Sequence, residues 1–200
     1  MSEEKHVKND HKAEPKGEHN DEFNYDMLEG EQCPFCNEKT LTLTETERDI
    51  AFFGICNIFS MDCSSCNYHK ADVEKAEENG EPVKYTLDIT EEADMKIRVI
   101  KSSNATVKIA YIGSIEPGET ANGYITNVEG VFNRIKNQIE HLKDAAEDDA
   151  EKTKAKNQLK KITKIMWGQE KGQLVIEDPS GNSAIISPKA VKSKLTVKKK

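Results

Sequence analysis

Two matched cysteine pairs, Cys33-Pro34-Phe35-Cys36 and Cys63-Ser64-Ser65-Cys66, constrain this chain more than any other feature, with about 26 residues between them. Each C-x-x-C turn aims two sulfurs at one point. Two such turns supply the four thiolates of a tetrahedral zinc site. Four protein ligands leave no open coordination position, so the expected ion is structural rather than catalytic, and there is one per chain. Two disulfides or a redox C-x-x-C are the alternatives, and the doubled motif at ribbon-like separation favours zinc. The spacer is longer than in most zinc ribbons, which predicts a long β-hairpin between the two knuckles.

Hydrophobic residues make up 36% of the 200 and charged residues 32%, enough for one ordinary domain plus a small one. No apolar run approaches the ~18 residues of a membrane span, and the first residues hold no apolar core of a secretory signal. Cysteines with metal-ligand spacing then fit a reducing, cytoplasmic setting. The net charge of −7 argues weakly against a nucleic-acid-coating protein. Arginine, the residue of bidentate base and phosphate recognition, occurs only as Arg48, Arg98 and Arg134.

Residues 1–29 are charged and nearly free of aliphatic side chains, so they read as a disordered tail in which His6, His11 and His19 are solvated. A zinc-ribbon finger is expected over 30–74. Leu41-Thr-Leu-Thr-Glu-Thr-Glu alternates as a strand. The apolar run Ile50-Ala-Phe-Phe-Gly-Ile-Cys-Asn-Ile-Phe leads to the second knuckle, with Gly54 as a bend or bulge. Cys56 lies outside both pairs and reads as a buried thiol. A short linker from Val73 to Pro82 precedes a second domain at 75–190, and 191–200 reads as a basic tail.

Within the second domain, β-branched stretches at 83–89, 95–101 and 105–112, broken by turn residues, indicate a β-sandwich or barrel. The pattern changes between Gly130 and Gly168, where no glycine or proline occurs. Val128, Val131, Ile135, Ile139 and Leu142 recur at helical steps, as do Leu159, Ile162, Ile165 and Met166. One straight helix would run roughly 55 Å and carry the next strand away from the sheet. An antiparallel helical hairpin at about 131–166, turning near 148–152, returns the chain to it. Strand signals resume with Gln173-Leu-Val-Ile-Glu, the turn Asp178-Pro-Ser-Gly-Asn, and Ser183-Ala-Ile-Ile-Ser.

Catalytic chemistry finds little material here. No nucleotide-binding glycine loop and no Ser-His-Asp order is present. A second, cupin-like metal site would need histidines converging from strands, and beyond the tail the chain offers only His69 and His141. The expectation is a binding protein, not an enzyme, with no catalytic residues.

Several motifs together resemble the ZPR-type zinc-finger proteins. They are the first knuckle with Phe35; Ile50-Ala51-Phe52-Phe53-Gly54; the second knuckle with Asn67-Tyr68 and Asp72-Val73; and Lys101-Ser102-Ser103. Ile115-Glu116-Pro117-Gly118, Thr126-Asn127-Val128-Glu129-Gly130 and Asp178-Pro179-Ser180-Gly181-Asn182-Ser183 complete the series. The resemblance covers most of residues 31–187 and fits the single-module form typical of archaea. Ala51, Asn67 and His69 stand where the family often has proline, glycine and arginine. Asparagine tolerates the left-handed conformation that a knuckle glycine would supply.

The resemblance implies a mostly β fold with an α insertion: a four-cysteine zinc ribbon plus a double-stranded β-helix (jelly-roll-like) domain carrying an inserted helical hairpin. It implies binding to translation elongation factor 1-alpha and a role as an adaptor or folding helper, that is, a chaperone. The alternative is a zinc-ribbon nucleic-acid binder in transcription or translation, with Phe52, Phe53 and Tyr68 stacking on bases. Packing over a small zinc core is the favoured role for those rings. Candidate partner contacts are Phe52, Phe53, Glu129, Asp178 and Asn182. Glu129 also suits a helix cap, and Asp178 with Asn182 also suits a purely geometric turn.

Overall fold

The computed structural model describes residues 25–76, 80–118 and 120–196. The chain divides into two compact units, the first ending at Ala76 and the second beginning at Glu77.

The first unit is a four-stranded antiparallel sheet in the order β1 (Asp26–Glu31), β2 (Leu41–Ile50), β3 (Gly54–Cys63), β4 (His69–Lys75). The long hairpin expected between the knuckles is β2–β3, paired from Leu41↔Cys63 to Ile50↔Gly54. Gly54 therefore does not bend a strand: it closes the hairpin tip, and its φ of +97° explains the glycine. Two further boundaries differ from expectation. Residues 26–29 fall in the segment read as a disordered tail, yet Asp26–Glu31 forms β1 on the β2 edge. Backbone pairing with β2 supplies what its mostly exposed side chains do not. Residues 1–24, with the tail histidines, lie outside the described residues. Likewise Val73 begins no linker, because β4 continues to Lys75 opposite Cys56.

The second unit holds two antiparallel sheets. One orders β12 (Val191–Lys194), β5 (Val83–Ile89), β10 (Gly172–Asp178), β7 (Thr106–Ile109) and β8 (Gly113–Ile115); the other orders β11 (Ala184–Ile186), β6 (Arg98–Lys101) and β9 (Tyr124–Asn127). Period-two alternation sends Leu174, Ile176 and Asp178 of β10 inward, alongside Leu87 and Ile89 of β5 and Val107 and Ile109 of β7. The sequence pattern places Lys192 and Lys194 in a solvated tail. They lie instead on β12, an exposed edge strand paired with β5, where lysines discourage further strand addition.

The helical insertion is α1 (Val128–Ala145) and α2 (Asp149–Met166), packed on each other and broken at residues 146–148. The Asn127 side chain caps α1 by accepting from Gly130 N at 2.8 Å, and Asp148 caps α2 by accepting from Ala150 N at 3.0 Å. Gly130 is forced by proximity, since a Cβ there would sit 2.1 Å from Thr126 Oγ1. Val128, Val131, Phe132, Ile135 and Ile139 join Ala155, Ile162 and Ile165 in the core with the sheet residues. Leu142 does not: it is exposed beyond the last turn that reaches the core.

Candidate metal centre and partner residues

The first knuckle follows β1 and the second ends β3, so the register Leu41↔Cys63 brings them together. Both turn the same way. Asn37 N donates to Cys33 O at 2.9 Å and Asn67 N to Cys63 O at 3.0 Å, while Cys33 N and Cys63 N donate to Glu38 O and Tyr68 O, each at 2.9 Å. Asn67 holds φ of +57°, the left-handed role expected of it, and Asn37, at φ +63°, takes the same role after the first pair.

The four sulfurs of Cys33, Cys36, Cys63 and Cys66 lie within 4.8 Å of one another. Cys33 Sγ is 3.7 Å from Cys66 Sγ, and Cys36 Sγ is 3.7 Å from Cys63 Sγ. Disulfides at about 2.0 Å are thereby excluded, and all five cysteines are free. A zinc–sulfur distance of about 2.3 Å places tetrahedral sulfurs roughly 3.8 Å apart, so the donor set fits zinc closely. The thiols are unequal. Cys63 is lowered to about 6, first by the Thr40 hydroxyl at 3.3 Å and then by the Cys66 N–H; Cys66 is raised to about 12 by burial and then by the other sulfurs. As four thiolates these groups would repel one another, and a divalent cation at their centre would offset that charge. Thr40 is the residue sequence reading missed: its carbonyl also accepts from Ser64 N, and no periodicity marks it.

Near this centre Phe35 and Tyr68 stack with ring centroids 6.4 Å apart, and Tyr68 is partly buried against the cysteines. His69 is outside the donor set, with Nδ1 2.6 Å from Asp62 Oδ1. Cys56 is a fully buried thiol, donating to Arg48 O at 3.5 Å and raised by burial and then by Asp49.

The partner candidates fall into different settings. Phe52 does not pack over the zinc core. It caps the β2–β3 tip, 97% exposed, and nine residue steps of strand put it about 30 Å from the cysteines. Its φ of +67° is rare for a bulky side chain. Phe53 is half-buried with Lys75 Nζ 4.6 Å from its ring centroid. Glu129 is exposed in the first turn of α1, whose cap is Asn127. Asn182 is partly buried at the turn.

Asp178 is corrected. It is 0% exposed, and its carboxylate accepts from the hydroxyls of Ser102 at 2.9 Å, Ser183 at 2.6 Å and Ser180 at 2.7 Å, with Ser180 N adding a fourth bond at 2.8 Å. Those bonds tie the 178–183 turn to the start of the loop after β6, leaving Asp178 no surface for a partner.

The family model for the ZPR1 jelly-roll domain matches residues 93–200. A ZPR1-like protein of Methanocaldococcus jannaschii is 40% identical over 77% of this chain and 78% of its own length. One from Pyrococcus horikoshii is 34% identical over 82% of this chain and 75% of its own. The zinc finger chaperone zpr1 of Schizosaccharomyces pombe is 24% identical over 68% of this chain, which spans only 30% of that longer protein. Together with the sulfur geometry, these likenesses give one structural zinc ion per chain. Among the described residues no helix is long and apolar enough to cross a membrane.

Proposed function

This chain belongs to the ZPR1 family of zinc-finger proteins, and on that premise we propose that it is a zinc-dependent adaptor or folding helper for translation elongation factor 1-alpha. Cys33, Cys36, Cys63 and Cys66 hold the ion, which sets the base from which the β2–β3 hairpin projects. The chain acts in the cytoplasm, binds protein rather than membrane, and catalyses nothing itself. The name of the fission-yeast relative, a zinc finger chaperone, supports a folding role.

One observation carries the reading most directly. Phe52 is an aromatic ring held almost wholly in water on strained backbone, at the end of a long two-stranded arm. Burial cannot account for that choice, and strain of this kind collects where a surface is used. An aromatic anchor suits either a pocket on a folded partner or the apolar segments of a client still folding. Phe53, Glu129 and Asn182 are further contact candidates. The finger alone is small beside the ~800 Å² per partner of a standard interface, so both units contribute.

The test titrates the zinc-loaded protein against its own organism's elongation factor 1-alpha in GDP- and GTP-bound forms, and against the unfolded factor during refolding. Binding in any form, or a higher refolding yield, both weakened by Phe52→Ala, is the expected result. No binding and no gain in yield would defeat the proposal.

A further inference from the structure

The turn between β7 and β8 repeats the design of the finger tip in the other unit. Its register pairs Ile109 with Gly113, and Ile112 N donates to Ile109 O at 3.1 Å. At the tip stands Tyr111, 96% exposed with φ +61°. In the sequence it lies within a stretch that reads as continuous strand, so nothing there marks it. The turn is also held in place, because Gln158 of α2 donates its side-chain N–H to the Ile112 carbonyl.

Between this ring and α2 lies a cleft of about 470 Å³ lined by Tyr111, Thr153, Lys154, Asn157, Gln158 and Lys161. The α2 residues follow three- and four-residue steps, so they form one stripe of the helix. Lys161 Nζ is 5.7 Å from the Tyr111 ring centroid and 3.6 Å from Glu170, a partly exposed pair. Lys164 continues the stripe. Of the six lysines along α2, Lys154 and Lys161 line the cleft, whereas Lys152 and Lys156 fall on the far side of the helix. Lys154 and Lys161, with Lys164 farther along the helix, thus stand on the side of a presented aromatic face.

We propose that this surface binds single-stranded RNA, one base stacking on Tyr111 and the flanking phosphates meeting Lys154, Lys161 and Lys164. This goes beyond the adaptor role and uses neither the finger nor its metal. An acidic peptide would be served by the lysines alone and would leave the held, water-facing ring without a purpose. A stacked base uses both, and a ring of this kind beside lysines is how strands are held without sequence preference. Lys154 and Lys161 are about 10 Å apart along the helix axis, within reach of successive phosphates on one strand. The shallow cleft encloses no free nucleotide, which favours a polymer that runs across it.

Fluorescence anisotropy of a labelled twelve-residue oligo(U) with the full zinc-loaded chain tests this at several salt concentrations. Binding at about 10⁻⁴–10⁻⁶ M that weakens with salt is expected. Tyr111→Ala should weaken it about tenfold while Tyr111→Phe keeps it. Lys154→Ala with Lys161→Ala should lower the slope of log affinity against log salt by about 1.4. All three positions are on the surface, and circular dichroism with zinc content verifies folding. No binding at low salt, binding indifferent to both Tyr111→Ala and the lysine pair, or equal competition by poly-glutamate would each overturn the assignment.

Discussion

Replacing Phe52 with glycine should make the finger more stable and the protein less useful. The ring is 97% exposed at φ +67°, so deleting it forfeits almost no burial. Left-handed backbone costs a residue with a Cβ about 1–2 kcal/mol, which glycine escapes. Against that, the freer glycine loses about 0.5–1 kcal/mol more entropy on folding. The balance is a gain of about 0.5–1 kcal/mol, worth roughly 2–8 °C in a unit of this size. Phe52→Ala is the control: it removes the ring but keeps the Cβ, so stability should stay within about 0.5 kcal/mol of the parent. Hydrogen exchange of β2 and β3 amides in the zinc-loaded full chain reads the effect where it occurs. Partner binding should fall about tenfold or more for both variants, as for an aromatic anchor. A glycine variant with faster exchange in β2 and β3 would mean that the ring supports the hairpin, and the strain argument would be refuted.

Four further outcomes are expected. Chelation should release one zinc per chain and unfold the finger, given roughly 10–16 kcal/mol of apparent metal stabilisation, while fluorescence of the sole tryptophan, Trp167, reports the other unit unchanged. Asp178→Ala should cost about 3 kcal/mol in a denaturant titration, because the buried Ser102 and Ser183 hydroxyls lose their acceptor. Gly130→Ala should destabilise the second unit, its Cβ colliding with Thr126 Oγ1, and an unchanged melting temperature would show that Thr126 simply rotates away. The pH dependence has a defined sign. Burial opposes the Asp94 carboxylate, but Lys189 and the Thr90 and Glu91 N–H groups outweigh it, and Lys108 likewise lowers Glu177. Their stabilisation is complete above the unfolded values near 4 and is lost as pH falls through the lower folded values. Lys189, raised by Asp94 and then Glu91, contributes below about 10.4 and loses its contribution as pH rises through its higher folded value. Trp167 fluorescence in an acid titration should therefore hold steady to about pH 4 and then fall.

Legibility in this sequence followed physical periodicity. The four sulfurs were readable because ligand spacing is a local constraint, and the two helices because Val131, Ile135 and Ile139 must share a face. Asn67 was readable for a similar reason: few side chains tolerate the left-handed backbone that follows the second pair. Where nothing local is at stake, sequence failed. β1 exists because β2 offers an unpaired edge, and β12 because β5 does; neither has the apolar alternation that betrays a buried strand. Asp178 reads as a surface turn residue, since Ser102, 76 positions away in the chain, gives no sign that it meets the Asp178 carboxylate. Tyr111 is the most instructive failure, while for Phe52 the sequence offers both a partner contact and packing over the zinc core. An aromatic residue in an apolar run is ordinarily core, and both runs read that way. Only the register, which puts three residues between Ile50 and Gly54 and three between Ile109 and Gly113, shows each ring standing at a turn in water. Core positions announce themselves through packing rules that act on every fold. A ring standing in water at a turn follows no such packing rule, and the chain alone does not announce it.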